Sequence, residues 1–122
     1  MLDEPRTHEL LELLAGRWTV AVLSELREKG RRYQDLDDAI DGISHKMLTD
    51  TLRRAERDGL IARQVDPARV ETATLYELTS LGRSLDAPMA ALGEWVQANW
   101  SGVEAGRRRW SRRGEERPGR SR

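Results

Sequence analysis

The chain has 122 residues, 38% hydrophobic and 34% charged, which is enough for one domain with a modest core. It has no cysteine and two histidines, which excludes disulfides and thiolate chemistry within the chain and argues against a histidine-rich metal site. The 21 basic and 21 acidic residues balance, but residues 101–122 hold eight arginines and three glutamates (+5), which leaves −5 on residues 1–100. No apolar run approaches the roughly 18 residues of a membrane span, and the first residues do not resemble a signal peptide, so we expect a cytoplasmic location.

Two helices are predicted before Gly30. Thr7 can cap the first helix, and Gly16 ends it. Leucines share one face of this helix, namely Leu10, Leu11 and Leu14. The second helix begins near Trp18 and ends at Lys29-Gly30, where glycine tolerates the left-handed conformation that often closes a helix.

A short helix and a longer helix follow, joined by a tight turn. The short one covers residues 33–40, with Tyr33 on its apolar stripe and therefore expected in the core. After the turn signal Asp41-Gly42, Ser44 is a suitable N-cap for the longer helix, which stops at Asp58-Gly59. The predicted inner stripe of the longer helix consists of Met47, Leu48, Thr51, Leu52 and Ala55. Two helices joined in this way predict a helix-turn-helix.

The periodicity changes after Gly59. Residues 60–65 and 72–78 are predicted strands, separated by a polar turn at 66–69, and together they form a β-hairpin or wing. A final helix is predicted over residues 80–100, with Pro88 kinking or restarting it. The predicted fold is therefore mostly α with a small β-hairpin, a winged helix-turn-helix over residues 1–100. Residues 101–122 are predicted to form a basic, disordered tail.

Six stretches, in this order and spacing, resemble the HxlR-type winged helix-turn-helix regulators. They are LAGRWT at 14–19, LSEL at 23–26, GRRYQDL at 30–36, ISHKMLTDTLR at 43–53, ERDGLI at 56–61 and YELTSLG at 76–82. The resemblance covers about residues 10–95. It implies a DNA-binding homodimer that acts as a repressor or activator of a nearby gene.

The sequence departs from that family in two places. Many members sense oxidants or electrophiles through a cysteine near the N-terminus, and this chain has none, so thiol sensing is excluded here. The approach to the second wing strand, residues 68–74, is about one residue longer than usual and lacks the usual prolines.

Candidate DNA-binding residues lie on the outward face of the fourth helix, where polar and basic side chains concentrate at the N-terminal end. Ser44 is expected to hold a phosphate at the helix start, while His45, Lys46 and Thr49 are placed for base edges. The alternative is an ordinary solvated helix face. The full candidate set is Ser44, His45, Lys46, Thr49, Arg53, Arg54, Arg32 and Arg69. Arg32, before the third helix, is expected to contact a phosphate, and Arg69, on the wing, the minor groove or a flanking phosphate.

The first and last helices are the candidate dimer interface. Their apolar residues are too numerous for an exposed monomer surface, although they could instead pack on the chain's own core. The predicted interface residues are Leu10, Leu11, Leu14, Leu92, Trp95 and Val96. The arginine-rich tail is either merely solvated or a source of non-specific phosphate affinity, with Trp110 able to stack on a base.

No enzyme motif is present: the sequence shows no glycine-rich phosphate loop, no zinc-ligand spacing and no serine with a plausible base. The expected partners are double-stranded DNA, a second copy of the chain and an unidentified small-molecule effector, with no cofactor and no metal. The alternative is a winged helix that binds another protein and has no specific DNA site. An apolar fourth helix would favour that alternative, whereas a cationic one favours DNA.

Overall fold

The computed structural model describes residues 4–65 and 74–116. The chain divides into two compact units, Met1–Ser84 and Leu85–Arg122. The elements of the first unit are α1 (Pro5–Ala15), α2 (Thr19–Glu25), β1 (Arg31–Arg32), α3 (Tyr33–Ala39), α4 (His45–Arg57), β2 (Ile61–Val65), β3 (Thr74–Leu78) and α5 (Ser80–Arg83). The second unit contains α6 (Asp86–Glu116).

The first two helices differ from the prediction at one end each. The assignment of Thr7 as the cap is wrong: α1 begins at Pro5, whose missing N–H would have no partner in a first turn anyway. The end at Gly16 is confirmed. The second helix was predicted to reach Lys29-Gly30, but α2 already ends at Glu25. Gly30 lies against the sheet rather than at the end of α2, and a Cβ there would come within 3.1 Å of the carbonyl oxygen of Tyr76.

The predicted helix-turn-helix is confirmed nearly to the residue. α3 ends at Ala39, and Gly42 turns the chain with a φ of +84°. Ser44 caps α4, which stops at Arg57 before Gly59, where φ is +79°. Both glycines occupy the left-handed region that residues with a Cβ rarely adopt.

The sheet has three antiparallel strands in the order β1-β3-β2, one more than the predicted hairpin. In β3, Leu75 lies opposite Arg32 and Gln64, and Tyr76 lies opposite Arg31 and Arg63. The predicted wing turn at 66–69 and the start of the second strand before Thr74 lie outside the described residues.

The core of the first unit lies where α2, α3 and α4 meet the base of the sheet. Its buried apolar residues are Val22, Leu23, Leu26, Leu36, Ile40, Ile43, Leu48, Leu52, Ala55, Leu60, Ile61 and Leu78. Thr79 closes this core at the end of the hairpin: its hydroxyl donates to the Gly59 carbonyl at 2.6 Å and accepts from the Gly82 amide at 3.0 Å. Gly82 packs directly on the Leu60 carbonyl, so α5 and the start of β2 are held together by backbone.

The final helix starts and ends later than predicted. The restart near Pro88 is confirmed, since α5 stops at Arg83 and α6 begins at Asp86 with Pro88 in its first turn. The prediction of a disordered tail is wrong for residues 101–116, because α6 continues through Trp100 to Glu116. Arginine is a strong helix former, and the Arg107 guanidinium lies 5.0 Å from the centre of the Trp100 ring, which supports this extension. Residues 117–122 lie outside the described residues.

Candidate nucleic-acid interface

Ser44 fixes the start of α4. Its backbone is extended (φ −83°, ψ 160°), and its Oγ accepts the Met47 amide hydrogen at 3.1 Å. This satisfies one of the four amide groups that a helix start leaves without a partner inside the helix. Because the hydroxyl acts here as an acceptor, its own proton is available to a ligand that approaches the helix start.

α4 separates buried and exposed faces as predicted, with one exception. The inner residues Leu48, Thr51, Leu52 and Ala55 are all buried. Met47 was assigned to the same stripe but is 37% exposed, because it lies to one side of that stripe around the helix, whereas its neighbour Leu48 is fully buried. The opposite face presents polar and charged groups, and the side chains of His45 and Lys46 are 76% and 82% exposed.

Tyr33 joins α3 to this exposed face. Its hydroxyl donates to the His45 carbonyl at 3.0 Å and lies 3.2 Å from the Thr49 hydroxyl. Its ring centre lies 5.8 Å from that of the His45 imidazole. The assignment of Tyr33 to the core is therefore only half right: the residue is partly buried, and its polar end belongs to the site. The apolar stripe of α3 located the ring, but no sequence pattern indicated where the hydroxyl would point.

Two of the predicted DNA-contacting side chains have acidic neighbours. Lys46 Nζ lies 3.1 Å from Asp50 Oδ2 across one turn of α4. His45 Nε2 lies 3.8 Å from Asp37 Oδ2. Within α4, Asp50 therefore pairs with Lys46, one turn before it, and not with one of the arginines that follow. An exposed i,i+4 pair such as Lys46–Asp50 is weak, about 0.3–0.5 kcal/mol, so a phosphate or base can displace it.

The cations of α4 divide into free and paired groups. In the part of the chain that the structure describes, Arg53 and Arg54 form no ion pair. At the C-terminal end, by contrast, Arg57 Nε lies 3.0 Å from Asp58 Oδ1, and hydrogen bonding to this carboxylate raises the pKa of Arg57. Arg63 of β2 pairs with Glu56 at 3.1 Å. The uncompensated positive charge of α4 therefore lies in its C-terminal half.

The remaining predicted contact residues are placed differently. Arg31 and Arg32 form β1. The Arg31 side chain binds the end of α2, where its Nε donates to the Glu25 carbonyl at 3.2 Å. Arg32 precedes α3 as predicted, with its backbone amide donating to Asp35 Oδ2 at 3.1 Å. Arg69, on the predicted wing turn, lies outside the described residues.

The candidate dimer residues are largely exposed within each unit. On α1, Leu10 and Leu11 are 38% and 48% exposed, while Leu14 is partly buried. On α6, Leu92, Trp95 and Val96 are 55%, 54% and 44% exposed. α6 therefore presents large apolar side chains that the chain itself leaves in contact with solvent.

The described residues contain neither a membrane-spanning helix nor a metal-binding cluster. No helix there is both long and apolar enough to cross a membrane. No group of three or more histidine, aspartate or glutamate residues in residues 4–65 and 74–116 could hold a metal ion.

Comparison with known proteins agrees with this geometry. The family model for the HxlR-like helix-turn-helix matches residues 13–104. The chain is 40% identical over 96 residues to the uncharacterized HTH-type transcriptional regulator YtfH of Escherichia coli, an alignment covering 76% of this chain and 73% of YtfH. The solved putative regulator ytfH of Salmonella typhimurium is 35% identical, with a TM-score of 0.67 over 84% of this chain and 90% of that chain.

A second solved relative is the transcriptional regulator YodB of Bacillus subtilis. Its reduced form is 28% identical, with a TM-score of 0.72 over 76% of this chain and 90% of that chain. YodB has also been solved bound to a quinone, with a TM-score of 0.69 to this chain. The helix-turn-helix, the three-stranded wing and these matches lead to one conclusion: the chain belongs to the HxlR-like helix-turn-helix family and is a transcriptional regulator of the winged helix-turn-helix type.

Proposed function

We propose that the chain binds a specific double-stranded DNA operator as a homodimer, with α4 of each copy in the major groove. The observation that supports this most directly is the exposed face of α4, which offers a capping hydroxyl at Ser44 and, at Arg53 and Arg54, guanidinium groups that form no ion pair with any described residue. The alternative, a winged helix for protein contact, would favour an apolar face there instead.

Each group has a chemical task in this proposal. The Ser44 hydroxyl and the amides of the first turn of α4 donate to a phosphate oxygen. His45 and Lys46 face base edges, and Arg53 offers two parallel donors that match the acceptors of guanine. Because the Tyr33 hydroxyl donates its proton to the His45 carbonyl, Thr49 donates to the Tyr33 oxygen and contacts a base only through its methyl group or the lone pairs of its hydroxyl. Arg54, Arg32 and Arg69 contribute contacts to the backbone or to the minor groove.

The test is an anisotropy titration of labelled DNA from upstream of the chain's own reading frame, alongside scrambled DNA of equal length. Arg53→Ala and Lys46→Ala are each expected to weaken specific binding by about 1–3 kcal/mol, or roughly 5- to 150-fold, and to relax the preference over scrambled DNA. Arg57→Ala is the matched control, since its guanidinium is already paired with Asp58. If both variants bind like wild type, α4 does not read DNA. Equal, weak binding of wild type to both DNAs favours the protein-contact alternative.

Homodimerisation through α1 and α6 is the second part of the proposal. It is supported by the exposed apolar side chains of both helices, since contiguous apolar surface of this kind marks an interaction site. Two copies would read half-sites centred about 10 base pairs apart, or a small multiple of that spacing. Sedimentation should give a dimer for wild type and a monomer for Trp95→Glu. A dimeric Trp95→Glu variant would show that the interface lies elsewhere.

A small-molecule effector is the third part of the proposal, supported by the quinone-bound structure of the related YodB. The chain has no cysteine, so an effector must act without forming a thiol adduct within it. A change in operator affinity on adding a benzoquinone is the expected outcome. Unchanged affinity at saturating concentration would exclude quinones as effectors of this chain.

A further inference from the structure

The last turns of α6 carry a dense group of arginines on an ordered helix. Five lie within seven residues, at positions 107, 108, 109, 112 and 113, and all five are exposed. We call residues 107–113 the arginine segment. Its helical rise spreads the five guanidinium groups over about 9 Å of helix axis, in a fixed order around the helix.

Within the described part of the chain, no carboxylate pairs with the arginine segment. Arg107 lies over the Trp100 ring, but the other four form no ion pair in the described part of the chain. Arg108 and Arg112 are four residues apart on one face, as are Arg109 and Arg113 on the next, so each pair of like charges repels across one turn. A partner with closely spaced negative charges would relieve both repulsions.

The distribution of charge around the helix indicates the class of anionic partner. Arg107, Arg108, Ser111 and Arg112 line a shallow depression, and Arg109 and Arg113 extend the positive surface beyond it. The only large apolar side chain within the segment is Trp110, which is 74% exposed. A helix that lies on a membrane needs a continuous apolar face, which this segment lacks. Rows of phosphates on a nucleic acid duplex match it better.

We propose that the arginine segment is a second, sequence-independent contact with the phosphate backbone of the duplex to which α4 binds. This inference rests on the proposed function for the identity of the duplex. The segment supplies affinity and salt dependence without base recognition, whereas α4 supplies the preference for one sequence. Trp110, at the centre of the segment, is free to lie against a sugar or an unstacked base.

The test compares the full chain with a variant that carries Arg108→Gln, Arg109→Gln, Arg112→Gln and Arg113→Gln. Glutamine is nearly as good a helix former as arginine, and circular dichroism checks that helix content is retained. The matched control carries lysine at the same four positions and so keeps the charge. Affinity for the upstream DNA and for a scrambled duplex is measured by anisotropy over a series of salt concentrations.

Each neutralised phosphate contributes about 0.9 to the slope of log affinity against log salt. The glutamine variant is expected to lose roughly 2–4 units of slope per protomer on both DNAs, while its preference between them stays unchanged. The lysine control should keep the slope of wild type. A glutamine variant whose slope equals that of wild type overturns the inference. If that variant also binds phosphatidylserine vesicles more weakly than wild type does, the segment contacts a lipid surface instead.

Failure of the proposed function gives a different pattern. If α4 does not read a sequence, wild type shows no preference between the two duplexes, yet the slope difference between wild type and the glutamine variant is still measurable. A preference that disappears in the glutamine variant, with the slope unchanged, would contradict the inference and place sequence recognition in α6.

Discussion

The hydroxyl of Tyr33 holds the first turn of α4 against α3, and Tyr33→Phe removes that hydroxyl alone. The hydroxyl donates to the His45 carbonyl at 3.0 Å and lies 3.2 Å from the Thr49 hydroxyl. A neutral hydrogen bond contributes about 0.5–1.5 kcal/mol net, and both bonds lie near the surface. We therefore expect the free energy of unfolding to fall by about 1–2 kcal/mol, with the ring contact to His45 retained.

Urea denaturation followed by tryptophan fluorescence measures this change as a lower midpoint with an unchanged slope. A double-mutant cycle with Thr49→Val isolates the contact between the two hydroxyls, and we expect a coupling of about 0.5–1 kcal/mol. Tyr76→Phe is the matched control, because the Tyr76 hydroxyl has no hydrogen bond within the described residues.

The same substitution should also weaken operator binding. The Tyr33 hydroxyl holds the His45 carbonyl, so its loss lets the first turn of α4 move while every DNA-facing side chain is kept. A small misplacement of contacting groups is enough to reduce affinity, here by up to about tenfold. If Tyr33→Phe matches Tyr76→Phe in both stability and affinity, and the coupling with Thr49 is zero, Tyr33 does not position α4.

Three further predictions concern the first and second units. Thr51→Val should raise the free energy of unfolding, measured by urea denaturation, by about 1 kcal/mol. Thr51 is 1% exposed, and its hydroxyl has no hydrogen-bond partner in the described part of the chain. A decrease would show that the hydroxyl forms a hydrogen bond. Gly82→Ala should cost about 3 kcal/mol or more by the same assay, since its Cβ would collide with the Leu60 carbonyl oxygen. Its control, Gly93→Ala, meets nothing within 4 Å and should stabilise α6 by about 0.5–1 kcal/mol; a similar cost for both would contradict the collision. Burial raises the pKa of Tyr76 from its usual value of 10.0. The stability contributed by the neutral phenol is therefore fully present below pH 10.0 and should be lost as the pH rises through the folded-state pKa. Unfolding of Tyr76→Phe, measured between about pH 8 and 11, should lack this alkaline loss of stability.

The sequence predicted α4 accurately because local chemistry sets both of its ends. Ser44 caps the start through its own side chain, and Gly59 follows the end because its backbone needs a positive φ. The division of α4 into faces followed from its period, except at Met47, which lies to one side of the buried stripe. The family resemblance then gave the architecture around this helix.

The errors arose where distant parts of the chain decide the structure. β1 has two residues and no alternating pattern, so only its pairing with β3 reveals it. Tyr33 has an apolar ring and a polar end, and helical period alone located the ring. The extension of α6 was missed because charge and glycine content indicated disorder, whereas the helix propensity of arginine outweighed three glycines, at positions 102, 106 and 114.

The three-stranded sheet also has a consequence for local opening. Only Leu75 and Tyr76 of β3 lie opposite partners on both sides, with β1 on one side and β2 on the other. β1 leads directly into α3. Separation of β2 from β3 that starts at the outer end of the hairpin therefore reaches the paired residues of β1 before it reaches the helices. Amide hydrogen exchange along β3 should therefore change abruptly at Leu75, with fast exchange at Thr74 and slow exchange from Leu75 to Leu78. Such a step in exchange would show that the outer hairpin opens independently of the helix-turn-helix, with the boundary at β1.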